Sequence, residues 1–182
     1  VLWDFPSKIA PLSLTVSDKK VFINNGTGII ALDRKSGKKL WTSDGPAVKK
    51  VGTGSTIRSV YWDGVLVFAT GTKLTALSTD DGKHLWKGAV MHSSPHCPEA
   101  LFLIDGVIWT ANTGTPQKKG THIKAIDFKT GEIKKDFVAK NLPAFPMHPR
   151  CYPSRATSKY LITNGMGCEF HELGSDFEKI HN

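Results

Sequence analysis

The chain has no run of about 18 apolar residues, so no stretch of it could cross a bilayer as a helix. Its opening residues, Val1-Leu2-Trp3-Asp4-Phe5-Pro6, show neither the basic region nor the apolar run of a secretory signal. Position 1 is not Met, from which a processed, recombinant or fragmentary chain is expected. Cysteine is scarce: Cys97, Cys151 and Cys168 leave at least one thiol unpaired within the chain. The lack of any CxxC or CxxCH excludes a zinc knuckle and a c-type haem attachment. There is also no GxSxG elbow, P-loop or HExxH helix, and almost no helical periodicity.

Positive charge is in excess, with 24 Lys+Arg against 16 Asp+Glu and a net charge of +8. Much of the surplus sits in doublets, Lys19-Lys20, Lys38-Lys39, Lys49-Lys50, Lys118-Lys119 and Lys134-Lys135, each in or beside a predicted turn. A nucleic-acid surface would cluster such charge and interleave exposed aromatics. The doublets read instead as solvated turn lysines, with no specific nucleic-acid signal.

The organising stretch is Ala31-Leu32-Asp33-Arg34-Lys35-Ser36-Gly37-Lys38-Lys39-Leu40-Trp41. Asp33 can accept from the N–H groups of the turn, Ser36 can do so more weakly, and Gly37 supplies φ > 0 before the return strand. About 45 residues on, a blade-length step, the pattern returns: Ala76 matches Ala31, Gly82 matches Gly37 and Trp86 matches Trp41. Ser78 replaces Asp33 there, a weaker cap. A looser third copy keeps Ala125, Asp127 and Gly131, with Phe137 as the expected replacement for the tryptophan. The fourth runs from Tyr160 through Ile180 with a shifted turn, and Leu2-Trp3 matches the end of a preceding copy.

A further candidate strand precedes each pair, at 12–16, 56–62, 97–104 and 151–157. Four strands per repeat predict an all-β chain of four-stranded antiparallel propeller blades, as one partial domain over 1–182. The approximate repeats are 4–41, 42–86, 87–137 and 138–182.

These repeats resemble the tryptophan-docking repeat of quinoprotein-like, PQQ-type β-propellers. The resemblance implies that Trp3, Trp41 and Trp86 each pack between neighbouring blades and hydrogen-bond to the adjoining one. The segments 96–102, 148–152 and 159–161 are also similar to large secreted bacterial proteins with PQQ-like repeats, which implies a periplasmic or extracellular setting. Such propellers have about seven or eight blades. Four copies therefore lead us to expect part of a larger propeller, completed by blades of the same or another chain.

Two loops lead into the innermost strands of the third and fourth blades, 91–97 and 147–151. Three readings of them stay open: a disulfide between Cys97 and Cys151, a soft-metal site drawn from His92, His96, Cys97, His148 and Cys151, or local packing. Arg58, Arg150 and Arg155 fall on predicted inner strands, where a guanidinium can pair with carboxylate or phosphate or form an internal salt bridge. With His96 they are the candidate ligand contacts. His84, His122 and His171 read as surface or packing residues.

The functional expectation is a non-catalytic binding or scaffold module outside the cytoplasm. The alternative is part of a PQQ- or metal-dependent oxidoreductase with its site in the central channel. A carbohydrate-handling propeller that uses channel Arg and His to hold a glycan is a third reading.

Overall fold

The structure, a computed structural model, describes residues 2–44, 58–70, 73–89, 101–113, 121–139, 154–165, 167–174 and 180–181. Every regular element among them is a strand, and the strands form four four-stranded sheets. The first sheet holds β1 (Thr15–Val16), β2 (Lys20–Asn24), β3 (Ile29–Asp33) and β4 (Lys39–Ser43). The second holds β5 (Arg58–Trp62), β6 (Val65–Thr70), β7 (Lys73–Ser78) and β8 (His84–Ala89). The third holds β9 (Phe102–Ile104), β10 (Val107–Thr113), β11 (Thr121–Asp127) and β12 (Ile133–Ala139). The fourth holds β13 (Arg155–Ala156), β14 (Tyr160–Gly165), β15 (Gly167–Glu172) and β16 (Ile180–His181). Each sheet is an antiparallel meander in chain order, the expected blade. The chain divides into two compact units of two blades each, Val1–Ala89 and Val90–Asn182.

Strand pairing puts all four copies in one frame. Phe22 faces Ala31, Val67 faces Ala76, Trp109 faces Ala125 and Ile162 faces Phe170. The residue after each third strand donates its N–H back to the turn before the second. The four bonds run from Arg34 to Lys19 (2.9 Å), Thr79 to Gly64 (2.8 Å), Phe128 to Gly106 (3.0 Å) and Leu173 to Lys159 (2.8 Å). The fourth copy thus keeps the frame although its turn looks shifted in sequence.

Turn chemistry follows the residue type. Asp33 Oδ1 accepts from the N–H groups of Lys35 and Ser36 and from the Ser36 hydroxyl, at 3.1, 2.8 and 2.7 Å. Asp127 Oδ1 accepts from Lys129 and Thr130 at 3.0 and 2.9 Å. Ser78 Oγ meets the Asp80 N–H at a longer 3.3 Å and also bonds to the Asp81 carboxylate, so it caps the turn's backbone more weakly than Asp33 does. Both carboxylates are held below the ordinary aspartate range. The Ser36 hydroxyl is the main cause at Asp33, and the Lys134 ammonium is the main cause at Asp127, which falls to about 2.

A bulge recurs at one place in three sheets, between Ala31 and Leu32, Ala76 and Leu77, and Ala125 and Ile126. It sets Trp41 opposite Ala31 and Trp86 opposite Ala76, while Leu40 and Leu85 are left 45% and 49% exposed. The repeated Leu-Trp pair therefore divides: the leucine marks the bulge and the indole packs. In the third sheet the residue opposite Ala125 is Lys135. Phe137, the expected substitute for the tryptophan, stands two residues further on, opposite Ile123. That is the place Ser43 takes opposite Ile29 in the first sheet. Phe137 still packs against Trp109, Ala111, Ile123, Ala125 and Leu161, the core of the second unit. The first unit's core joins Phe22, Ile29 and Ala31 to Leu66, Phe68 and Leu77.

Gly26 and Gly82 both take left-handed φ, +94° and +74°. A Cβ on Gly26 would meet nothing within 4 Å, whereas one on Gly82 would meet the Trp41 ring at 2.8 Å. Gly26→Ala should therefore lower stability by about 1 kcal/mol through backbone strain alone. Gly82→Ala should lose about 3 kcal/mol, because the indole must also move. Urea midpoints measure both, and equal losses would show that this turn does not hold Trp41.

Candidate functional site

The tryptophans sit where the turn chemistry can receive them. Trp41 Nε1 donates to the Thr79 carbonyl at 2.9 Å, and Trp3 Nε1 donates to the Arg34 carbonyl at 2.9 Å. Arg34 and Thr79 occupy the same place, one residue past the third strand of successive blades. In each case a glycine in the receiving turn, Gly37 for Trp3 and Gly82 for Trp41, leaves room for the ring. Lys20 Nζ reaches the Thr79 carbonyl at 2.6 Å and Asp80 at 3.1 Å. Ser43 Oγ adds a bond to the Gly82 carbonyl at 2.7 Å. Phe22 lies 5.9 Å from Trp41 and 6.0 Å from Tyr61, ring centre to ring centre. Trp86 is half-buried at the register position of Trp41.

Other expected site residues are spread out. Arg58 is half-buried in β5, opposite Ala69. Arg155 is exposed in β13 and donates to the Ser154 carbonyl at 3.2 Å. His92, His96, Cys97, His148, Arg150 and Cys151 lie outside the described residues, and with them the expected metal set and disulfide. His84 Nε2 lies 3.2 Å from the Asp44 carbonyl, and His122 pairs with Asp136, which Lys124 also meets at 3.2 Å.

The second unit contains a buried polar cluster that the sequence reading missed. Glu169 and His171 are 3% and 1% exposed, beside Thr163 at 2% and Thr121 at 3%. Glu169 Oε2 accepts from Thr163 Oγ1 at 2.8 Å and from Thr121 Oγ1, on the preceding blade, at 3.0 Å. His171 Nε2 lies 2.9 Å from Thr163 Oγ1 and 3.4 Å from Glu169 Oε2. Because Thr163 donates to Glu169, its remaining capacity is to accept, which assigns the hydrogen to Nε2 of His171. Nδ1 is then a buried acceptor without a partner among the described residues. In the shared frame these are core positions: Thr163, Glu169 and His171 stand where the first blade has Ile23, Ile30 and Leu32. Burial pushes the Glu169 carboxyl up, but hydrogen bonds from His171, Thr163 and Thr121 outweigh it and hold the group below the usual glutamate value. The cluster can clamp two blades through one carboxylate.

A lowered pKa means stability that is present above the ordinary glutamate value of 4.5 and lost as pH falls through the lower folded value. Glu169→Gln should flatten that acid limb of a stability–pH curve. His171→Leu alone should lose about 3 kcal/mol, since it breaks the network and leaves a buried carboxylate short of a partner. Restoring the first blade's residues at all three positions together with Thr121→Val should bring stability back to within about 1 kcal/mol of the parent. A quadruple variant as weak as His171→Leu would show that the cluster is not a substitute for apolar packing.

The sequence profile of the family described as outer membrane protein assembly factor BamB matches residues 2–101. No curated protein sequence matches the chain. BamB from Moraxella catarrhalis is similar in structure with a TM-score of 0.60 at 14% identity, over 88% of this chain and 49% of its own. The quinohemoprotein alcohol dehydrogenase from Comamonas testosteroni follows at 0.51 and 18%, over 72% of this chain and 21% of its own. The chain thus spans about half the length of the first and a smaller part of the second. At these identities the likeness is one of fold.

Proposed function

The chain belongs to the BamB-like family of PQQ-repeat β-propellers, and on that footing we propose that it is a non-catalytic binding or scaffold module working outside the cytoplasm. The observation that carries this reading is the use made of the signature residues. Trp3 and Trp41 are half-buried against the next blade's turn and donate their only polar hydrogen to its backbone. An indole placed this way joins blades, and its one polar group is already used.

The same use bears on a quinone. A quinone cradle needs an exposed indole face and carboxylate oxygens turned outward. The indole N–H groups of Trp3 and Trp41 and the Glu169 oxygen held by Thr121 and Thr163 are already engaged within the protein. The dehydrogenase likeness supports the fold and goes no further.

In this reading residues 1–182 form one partial propeller, and further blades of the same or another chain complete it. The extracytoplasmic setting is supported by the family's description as an outer membrane assembly factor. A Cys97–Cys151 disulfide accords with an oxidising compartment. Arg58, Arg155, Arg150 and His96 remain its candidates for contact with an anionic or glycan ligand.

The test is the visible spectrum and metal content of the full polypeptide, purified without a polyhistidine tag. No band beyond the protein's own and no stoichiometric metal are expected. A bound redox chromophore would overturn the scaffold reading. Mass spectrometry under non-reducing conditions should find Cys97 linked to Cys151, and free thiols at both would remove that bridge.

A further inference from the structure

In the second unit a cleft of about 380 Å³ opens between the third and fourth blades. Its third-blade wall includes Val107 and Trp109, with Asp105 at the turn, and its fourth-blade wall includes Lys159, Glu172, Leu173 and Gly174. The shared frame identifies this place. Trp109 stands where the first blade has Phe22, because each faces the alanine of the third strand. Leu173 stands where the second blade has Thr79, one residue past the third strand and bonded back to the preceding turn. Between Phe22 and the Thr79 carbonyl lies the Trp41 ring.

The residue at Trp41's register position in the third blade is Lys135, which does not line the cleft. The neighbouring contacts are gone as well. Lys20, which reaches the Thr79 carbonyl, corresponds to Val107, and its ion-pair partner Asp80 corresponds to Gly174. The hollow thus has the walls of a tryptophan-docking site without the tryptophan. Two carboxylates, Asp105 and Glu172, against one ammonium, Lys159, make its rim acidic in a chain whose net charge is +8.

We propose that this cleft is a docking site for a tryptophan side chain of a partner polypeptide, carried next to a basic residue. The indole lies against Trp109 and donates its N–H to the Leu173 carbonyl, as Trp41 does to Thr79. The adjacent cation faces the Asp105 carboxylate. The blade frame alone supports this inference, and it stands whether or not the propeller elsewhere holds a cofactor.

The experiment titrates the full chain with acetyl-Gly-Trp-Lys amide and follows backbone amides by nitrogen-15 NMR. Saturable shifts at Trp109, Leu173 and Gly174 are expected. Affinity should fall about tenfold when the peptide's Trp is replaced by Leu, and by a similar factor when its Lys is replaced by Glu. Lys135→Trp should fill the cleft from within and abolish binding without lowering the melting temperature. Gly174→Leu gives a second block: Gly174 lines the cleft, and a Cβ there meets nothing within 4 Å, so the larger side chain is taken up without displacing a neighbour. No shift at Leu173 and Gly174, equal binding of the Leu peptide, or unchanged binding by both variants would overturn the proposal. Free indole binding as tightly as the peptide would overturn the polypeptide as its occupant.

Discussion

The bond on which this architecture depends runs from an indole N–H to a main-chain carbonyl one residue past the neighbouring blade's third strand. A four-stranded meander has two faces and cannot bury both alone. Each blade needs a neighbour, and the neighbour must be held at a fixed height and angle. Burying the Trp41 ring contributes about 1.5–3 kcal/mol or more. The Trp41-to-Thr79 bond turns that nonspecific gain into a register. The recurring bulge makes this possible, because it aims the indole at the turn while its leucine neighbour faces water.

Most of this was legible in the residues. The repeat could be read because three things recur together: a small residue at Ala31 and Ala76, a glycine at Gly37 and Gly82, and a tryptophan at Trp41 and Trp86. Each has one physical job, and no other residue type does it as well. The small residue stands opposite the indole in register, the glycine takes positive φ and clears the ring, and the indole reaches the carbonyl. The third copy keeps the small residue and the glycine, Ala125 and Gly131, and misled where the indole's job lapsed. Phe137 looked like a substitute by size, but strand pairing depends on the bulge, which moves the docking position to Lys135.

The buried cluster could not be read at all. Thr163, Glu169 and His171 alternate along strands like residues facing solvent, and alternation cannot distinguish water from a neighbouring blade. Only the frame reveals that they replace Ile23, Ile30 and Leu32. Their partner Thr121 lies on another blade, 48 residues away in sequence, beyond any local pattern. The two units therefore join their blades by different means. Both pack apolar side chains between blades; the first adds a docked indole, whereas the second adds a carboxylate network and leaves a hollow where an indole could sit.

The acceptor of the docking bond is a backbone oxygen, and Arg34 and Thr79 serve equally well although their side chains have nothing in common. The joint does not read its neighbour's side chain at that point. A blade copied by gene duplication would arrive with its own indole and its own receiving turn, and the blade beside it would accept both unchanged. Lineages built on such a joint can gain or lose blades without inventing new contacts. Their sequences are also free to diverge almost everywhere else.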